Sequence, residues 1–303
     1  MIGSLLKELW KALGTFIRYH LSRLLGRQRQ RPTDSKDNES SKSVAVALPS
    51  VMLDPVYEKT ITWRTDRSDL SAAGTTSNPI YQLWRELPQG HKWTHYFEIY
   101  QTIFESRRNV PMRILEIGVL NGVSLRLWKS YFQHAKTTLV GVDIDPACAR
   151  YDAPSDGIHV RIGSQADREF LARVVDEFGP FDLIIDDGSH HSSHMIKSFN
   201  SLYGAGLKDN GIYFVEDLHA NYHLPWRDSA NSFLDFCKDL LELMHAHYLK
   251  TPLTAWFEEV RTGSGVTLDV PEITTMIKEI RVFDSIVAIY KTRRPYLPRY
   301  LIA

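Results

Sequence analysis

The sequence predicts an α/β protein built on a doubly wound, mostly parallel sheet of seven strands. Strand-like and helix-like segments alternate from about residue 112 onwards, and the helical segments are long enough to cross the face of a sheet. The predicted strands comprise residues 113–118, 138–143, 158–162, 181–187, 211–215, 280–283 and 286–291. The predicted helices comprise residues 122–133, 166–178, 191–203 and 229–248.

The connections between these segments predict the direction of each strand. Helices that join successive strands imply right-handed βαβ units, so the first five strands are expected to be parallel. The last two strands meet at Asp284 and Ser285, a joint too short for a helical crossover, and are expected to form an antiparallel edge.

Composition divides the 303-residue chain into four regions. We expect a basic amphipathic helix over residues 1–27 and an aromatic-rich cap over residues 51–110, followed by the α/β domain over residues 111–303. Residues 28–50 are mostly polar and charged, and they lack the apolar surface needed to offset the entropy of ordering. This stretch is therefore predicted to be a disordered linker.

The N-terminal helix has several interpretations. Its apolar residues recur at helical spacing among lysines and arginines, with Glu8 as the only acid. Such a helix can lie in a membrane interface, so one expectation is peripheral membrane contact through residues 1–26. A partner-docking helix and an organellar targeting segment are the alternatives, whereas a secretory signal fits poorly because charges interrupt its apolar core.

Overall composition excludes some classes of partner. Lys plus Arg and Asp plus Glu number 36 each, so no global field indicates nucleic acid. No stretch reaches the roughly 18 consecutive apolar residues of a membrane span. Cys148 and Cys237 lack metal-type spacing and cannot form a disulfide framework, which favours a cytoplasmic location. Nothing in the sequence decides whether the chain forms a homo-oligomer.

The turn after the first strand is suited to nucleotide binding. Gly118 lets the backbone approach a ligand, and Gly122 lets the next helix begin close to the sheet. Asp143 ends the second strand, where its carboxylate could accept hydrogen bonds from two ribose hydroxyls. The alternative is a tight turn with Asp143 as a cap.

Three carboxylates follow two other strands. Asp187 ends the fourth strand, and Glu216 and Asp217 follow the fifth. Neighbouring strands lie about 4.8 Å apart, so the three acids can converge at the carboxyl edge, where doubly wound folds bind ligands. Converging carboxylates repel one another, and a hard cation such as Mg²⁺ is the usual resolution. The alternative is that they serve as caps and loop hydrogen-bond acceptors.

Histidines crowd the turn after Asp187. An imidazole beside metal acids can take a hydroxyl proton near neutral pH, so His190 is the candidate base, with His191 and Asp186 next. His190 and His194 have zinc-type spacing, but His191 stands where the zinc motif needs glutamate. Zinc hydrolysis is therefore a minor hypothesis.

Several of these segments resemble known families. LEIGVLNG and VGVDID resemble motif I and its acidic follower in class I S-adenosylmethionine-dependent methyltransferases, which are Rossmann-like. IIDDGSHHSSHMIKSF and VEDLHANY resemble the macrolide and rhamnosyl sugar O-methyltransferases of the mycinamicin and elloramycin types. The resemblance runs from about Lys92 to Tyr222 and implies S-adenosylmethionine and Mg²⁺ as cofactors.

The resemblance also implies roles for individual residues. It assigns Mg²⁺ to Asp187, Glu216 and Asp217, and the base to His190. Around the cofactor it places Glu116 near the methionine end, Gly118 against the cofactor and Asp143 on the ribose, and Ser164 and Gln165 of GSQADREFLA beside the adenine. We count Asn121, Gly122 and Asp186 with this cofactor site. HKWTHYFEIY resembles a segment over the cofactor, so Lys92, His95 and Tyr96 are lid or cofactor candidates, with aromatic packing as the alternative.

The expected function is methyl transfer from S-adenosylmethionine to a sugar hydroxyl, with Mg²⁺. The acceptor would be a small-molecule glycoside of a natural product, or a glycan. One alternative is a catechol-type O-methyltransferase, which also chelates vicinal oxygens. Another is a noncatalytic, tethered S-adenosylmethionine-binding module whose functional element is the N-terminal helix.

Overall fold

The computed structural model describes residues 77–88, 90–250 and 267–295. The predicted helix at residues 1–27, the predicted linker at residues 28–50 and the first part of the predicted cap lie outside these ranges. Within them, no helix has both the length and the apolar character needed to cross a membrane.

In the part of the chain that the structure describes, seven strands form one sheet in the order β3-β2-β1-β4-β5-β7-β6. They are β1 (Arg113–Ile117), β2 (Thr138–Asp143), β3 (Ile158–Ile162), β4 (Phe181–Asp186), β5 (Leu207–Val215), β6 (Ile277–Phe283) and β7 (Ile286–Lys291). The first five strands are parallel, whereas β7 is antiparallel to both β5 and β6. The predicted seven-stranded, mostly parallel sheet is confirmed. The reversed strand lies one place inside the edge, because the outermost β6 pairs with β7 rather than with β5.

Helices connect and cover these strands. The α-helices are α1 (Pro79–Arg85), α2 (Tyr96–Phe104), α3 (Val123–Tyr131), α4 (Arg168–Phe178), α5 (Ser192–Leu202), α6 (Phe233–Met244) and α7 (Ala246–Lys250). Short 3-10 segments comprise Glu105–Arg107, Pro146–Tyr151, Pro154–Asp156, Leu218–Tyr222 and Glu272–Thr275. The predicted helix over residues 229–248 begins later, at Phe233, because Ser232 and Asp235 form a reciprocal capping box there.

Two hydrophobic clusters cover the two faces of the sheet. Successive β4 residues alternate between them, with Leu183 in one cluster and Ile184 in the other. Helices α1, α2 and α3 contribute to the first cluster, and α4, α5 and α6 to the second. Helix α2 belongs to the predicted cap, yet Tyr100 and Phe104 are fully buried in the same cluster as the sheet residue Phe214. The described part of the cap is therefore an integral layer of the α/β fold.

Hydrogen bonds beyond the strand ends bring three loops together at the carboxyl edge. The Gly118 amide donates to the Val142 carbonyl, and the Asp187 amide to the Ile117 carbonyl. Glycine is required at position 118 for two reasons. Its φ of 98° lies in the left-handed region, and a Cβ there would approach the Asp187 carbonyl oxygen to 2.2 Å. The glycine turn is thus packed directly against the loop that carries Asp187.

Because of this packing, two glycine-to-alanine substitutions should lower the free energy of unfolding by different amounts. Gly118→Ala should lower the free energy of unfolding by about 1–3 kcal/mol, because it adds backbone strain and a steric clash. Gly204→Ala is the matched control, since a Cβ at Gly204 would meet no atom within 4 Å. It should change stability by less than about 0.5 kcal/mol. Urea unfolding measures both, and equal midpoints would contradict the close contact at Gly118.

Candidate active site

An acid-histidine cluster lies at the carboxyl edge of β4 and β5. His190 Nε2 is 3.9 Å from Asp187 Oδ1 and 3.7 Å from Asp217 Oδ2. One potential ligand atom from each of these residues lies within 4.8 Å of the other two, and this is the one such group found among the described residues. His190 and Asp217 both have positive φ, 57° and 55°. The turns after the two strands therefore aim both side chains at the same point.

Glu216 is held apart from this cluster by residues of the cap. Its Oε2 accepts hydrogen bonds from Lys92 Nζ at 2.5 Å and from the Tyr100 hydroxyl at 2.8 Å. Lys92 Nζ is also 2.5 Å from Asp187 Oδ2, so one ammonium group bridges two acids. Glu216 is completely buried and Lys92 is only 8% exposed. A basic residue between α1 and α2 thus neutralises charge at the sheet edge.

Burial and charge oppose each other in this bridge. Burial alone would lower the pKa of Lys92, but the negative charges of Asp187 and Glu216 outweigh it and raise that pKa well above its usual value. Burial raises the pKa of Glu216, and the charge of Lys92 works against this rise. The ionised form of Glu216 therefore depends on Lys92, and Lys92 remains a cation.

A second contact from α2 orients Asp217. The Tyr96 hydroxyl donates to Asp217 Oδ1 at 2.6 Å and lies 2.9 Å from Ser285 Oγ in the turn between β6 and β7. Ser285 Oγ is also 2.6 Å from His219 Nδ1. The pKa of Asp217 is lowered even though burial raises it, because the charges of His190 and Lys92 favour the carboxylate. Asp217 is therefore held as an anion in a defined orientation.

The donor atoms are suited to a hard divalent cation. Asp187 Oδ1 and Asp217 Oδ2 point towards the same small volume as His190, whereas Lys92 and Tyr96 take up the other oxygen of each acid. Glu216 Oε1 and His190 Nδ1 are buried without a hydrogen-bond partner among the described residues. Buried, unpaired polar atoms are rare, and those at a carboxylate cluster suit a site that takes another group.

The other two histidines lie outside the cluster. His194 Nδ1 is 2.9 Å from Ser189 Oγ, and His191 Nδ1 is 3.7 Å from Asp228 Oδ2. The group of potential ligands found in the described ranges includes His190 but not His194. The zinc arrangement considered from the His190–His194 spacing is thus not formed there.

The glycine turn is held by the acid predicted to bind ribose. Asp143 Oδ2 accepts hydrogen bonds from the Val119 and Leu120 amides at 2.9 and 3.0 Å, and Oδ1 accepts one from the Asp145 amide at 2.9 Å. Asn121 Oδ1 accepts from the Val123 amide, and Gly122, with φ of 68°, precedes α3. Asp143 therefore holds the turn through its own hydrogen bonds. This is the arrangement of the alternative interpretation, in which Asp143 caps a tight turn.

Glu116 lies on β1 beneath this turn. Its Oε1 accepts a hydrogen bond from Trp128 Nε1 at 2.9 Å, while Oε2 is buried without a hydrogen-bond partner among the described residues. Glu116 is 1% exposed, and burial raises the pKa of its carboxyl from an ordinary 4.5 to about 7. A carboxyl group in this state can accept a bond from a ligand amino group.

The remaining predicted cofactor residues form a supporting network. Gln165 donates to Asp186 Oδ1 at 3.1 Å, and its Oε1 accepts from the Ser189 amide at 2.7 Å. Asp186 is 1% exposed and also accepts from Ser198 and Tyr213, and burial raises its pKa. Ser164 Oγ accepts from the Ala166 amide ahead of α4. Gln165 and Asp186 thus support the turn that carries the acid-histidine cluster.

Several site contacts were absent from the sequence-based prediction. Lys92 and Tyr96 were expected as lid or cofactor candidates rather than as partners of the acids. Tyr100, Ser285 and Trp128 were not predicted as site residues. Tyr96 and Tyr100 are four residues apart, which places them on one face of α2, so helical periodicity was the available signal. Nothing local indicates that Ser285 reaches the site.

The raised pKa of Glu116 predicts a pH-dependent loss of stability. Between about pH 4.5 and pH 7 the unfolded chain loses a proton that folded Glu116 retains, so stability falls as the pH rises through this window. The loss should approach about 3 kcal/mol. The glutamine in Glu116→Gln cannot ionise, so this variant should lack the pH-dependent loss of stability that Glu116 causes. Urea unfolding at about pH 5 and pH 8 measures the difference, and parallel profiles for both proteins would contradict it.

Comparisons with known proteins show that the site lies within a region matched by a protein-family model. A family model described as a methyltransferase domain matches residues 115–218, which include the glycine turn, the acids and His190. The chain is 38% identical over 166 residues to 8-demethyl-8-(2-methoxy-alpha-L-rhamnosyl)-tetracenomycin-C 3'-O-methyltransferase of Streptomyces olivaceus, covering 50% of this chain and 41% of that protein. It is 37% identical over 132 residues to mycinamicin VI 2''-O-methyltransferase of Micromonospora griseorubida, covering 41% and 31%. The matched segments thus span less than half of each relative.

The fold has a similar counterpart among solved structures. MycE methyltransferase of the mycinamycin biosynthetic pathway, solved in complex with Mg and SAH, superposes with a TM-score of 0.58 at 25% identity. The superposition covers 74% of this chain and 57% of MycE. Both comparisons confirm the resemblance inferred from the motifs. Residues 115–218 match a methyltransferase domain model, and the chain is similar to the rhamnosyl and macrolide sugar O-methyltransferases.

Proposed function

We propose that the chain is an O-methyltransferase that uses S-adenosylmethionine and Mg²⁺ to methylate a sugar hydroxyl of a glycosylated natural product or a glycan. The observation that carries the proposal is the proximity of two sites at one sheet edge. The Gly118 turn, with Glu116 beneath it, packs directly against the loop of Asp187. That loop also carries His190, which lies close to Asp217. A methyl donor and a cation-bound acceptor would therefore be neighbours.

The residues of the glycine turn fit the methyl donor. S-adenosylmethionine supplies an electrophilic methyl group, and its amino group is a cationic donor that suits the unpaired Oε2 of Glu116. Asp143 keeps the turn in place, and the residue is 8% exposed at the end of β2, the ribose position implied by the resemblance. Gln165 acts as a positioning residue in this scheme, because both ends of its amide bind the protein.

Asp187, Glu216 and Asp217 would hold the cation. When bound, Mg²⁺ supplies positive charge that orients the acceptor oxygens and favours ionisation of a sugar hydroxyl. Lys92 and Tyr100 restrain Glu216 from the cap side, and Tyr96 does the same for Asp217. Without the cation, these contacts occupy one oxygen of each acid and leave the other oxygen to face a ligand.

His190 is the proposed base. Its Nε2 lies 3.7 Å from Asp217 Oδ2 and 3.9 Å from Asp187 Oδ1, so a hydroxyl held at these acids would be within reach of the ring. The proton of the hydroxyl passes to Nε2, and the neighbouring carboxylates stabilise the imidazolium that results. The left-handed backbone at His190 holds the ring towards the acids.

The acceptor would approach past an exposed aromatic side chain. Trp93 follows Lys92 directly and is 54% exposed, and its ring packs edge-on against His219 at 5.3 Å. A flat indole beside the acids suits stacking against a sugar ring. Membrane contact through residues 1–26 and a cytoplasmic location remain predictions from the sequence.

Isotope transfer tests the proposed function. Protein incubated with methyl-labelled S-adenosylmethionine should label rhamnosides or macrolide glycosides in the presence of Mg²⁺, as detected by mass spectrometry. EDTA should abolish labelling, and excess Mg²⁺ or Mn²⁺ should restore it, because the acids need a divalent cation. Asp187→Asn should not be restored at millimolar-scale metal, since it loses an anionic ligand.

Asp182→Asn is the matched control for this experiment. Asp182 lies near the start of β4, whereas Asp187 follows the end of that strand, and Asp182 pairs with Lys208 at 2.8 Å. This variant should respond to EDTA and Mg²⁺ as the wild type does. Labelling that persists after rigorous metal removal would contradict the metal assignment. Labelling of catechols but of no glycoside would contradict the sugar assignment.

A further prediction isolates the base. His190→Gln should lower methyl transfer about 10²–10⁴-fold, because a general base is lost, while leaving the affinities for S-adenosylmethionine and Mg²⁺ unchanged. His134→Gln, in the loop before β2, controls for loss of a histidine. Single-turnover kinetics and calorimetry measure the two effects. Unchanged turnover would show that another group takes the proton, and loss of Mg²⁺ binding would show that His190 is a ligand.

A further inference from the structure

Lys92 occupies the gap between two of the proposed metal ligands. Its ammonium nitrogen is 2.5 Å from Asp187 Oδ2 and 2.5 Å from Glu216 Oε2, and its side chain is 8% exposed. The lysine lies between α1 and α2, 95 and 124 residues away from its two partners in sequence. The bridge therefore joins the cap to the carboxyl edge of the sheet through the acids themselves.

The position of Glu216 follows from this bridge. The closely spaced group comprises Asp187, His190 and Asp217, and Glu216 stands outside it. Lys92 and Tyr100 both bind Oε2 of Glu216, while Oε1 is buried without a partner in the described ranges. Glu216 thus has one oxygen available to a ligand but is drawn towards Lys92.

An ammonium group and a divalent cation cannot share this gap. Mg²⁺ binds carboxylate oxygens at about 2.0–2.1 Å. An ion bound to both Asp187 Oδ2 and Glu216 Oε2, the oxygens that contact Lys92 Nζ, would therefore overlap the position of that nitrogen. The two cations also repel one another, and the repulsion is strong where side chains are buried. A cation that takes Asp187 Oδ2 and Glu216 Oε2 therefore requires Lys92 to move.

We propose that Lys92 is a displaceable internal cation, which competes with the divalent cation for Asp187 and Glu216. The proposal rests on the magnesium site of the proposed function. When the divalent cation takes the two carboxylates, Lys92 leaves them, and Glu216 becomes able to join Asp187 and Asp217. Tyr96 and Tyr100 remain on α2 as partners of the acids.

Displacement would couple metal binding to the cap. Lys92 anchors residues 90–95, a segment that includes the exposed Trp93 next to His219. Release of the lysine frees this segment at the position where an acceptor enters. Metal loading would therefore precede the arrangement of the acceptor surface.

Lysine labelling of the wild-type protein tests the proposal directly. The full chain is acetylated briefly with isotopic acetic anhydride, with and without MgCl₂, and the Lys92 peptide is quantified by mass spectrometry. Lys92 should be protected without Mg²⁺ and become several-fold more reactive with it. Lys197, exposed on α5, serves as the internal reference and should not change. Unchanged or increased protection of Lys92 in Mg²⁺-bound protein would overturn the proposal.

Metal affinity provides the second measurement. By calorimetry with MgCl₂, Lys92→Met should bind about 10-fold more tightly or better, because a competing unit charge is removed. Lys197→Met should bind as the wild type does. Mg²⁺ affinity that is unchanged or weaker in Lys92→Met would overturn the inference alone. Failure of every protein to bind Mg²⁺ would overturn the magnesium assignment and the inference together.

Discussion

Burial of the Glu216 carboxylate is the constraint on which the site depends. The residue follows β5 and is completely buried, so its charge must be met by protein partners or by a cation. Lys92 and Tyr100 meet it from the cap side. Loss of one partner from a buried pair costs about 3–5 kcal/mol, because the other charge is left uncompensated. The same pairing joins the segment before α2 to Asp187 as well as to Glu216.

Unusual backbone conformations concentrate at the same edge. His190, Asp217 and Ser285 have positive φ values of 57°, 55° and 65°. Each such residue costs on the order of 1 kcal/mol, and the conformation persists only where neighbouring contacts impose it. Here the contacts are the Tyr96 hydroxyl to Asp217 and the hydrogen bond from the Leu218 amide to the Ser285 carbonyl. Strain at these turns, supported by α2 and the last hairpin, is consistent with a preorganised site.

The acids of the site fall into two groups with different physical roles. Asp187 and Asp217 are partly exposed and face His190, so they are able to bind a ligand. Asp143 and Asp186 each accept several hydrogen bonds from the protein itself, and they maintain the glycine turn and the turn after β4. A carboxylate saturated by the protein costs little to bury and defines loop position. This division explains how two adjacent residues, Asp186 and Asp187, serve opposite purposes.

Local pattern in the sequence was sufficient to predict the sheet and the edge on which the site lies. Alternating strands and helices, the glycines at positions 118 and 122, and acids after β4 and β5 are signals that short-range sterics and hydrophobic periodicity produce. The tertiary structure alone decided the partners of those acids. Lys92 reaches Asp187 and Glu216 across 95 and 124 residues of sequence, and Ser285 reaches Tyr96 across 189. Such contacts leave no local periodicity. The tertiary structure also decided that β7 lies inside the edge of the sheet, and that Gln165 and Asp186 support the turn that carries His190. Both outcomes depend on which surfaces meet when the layers pack.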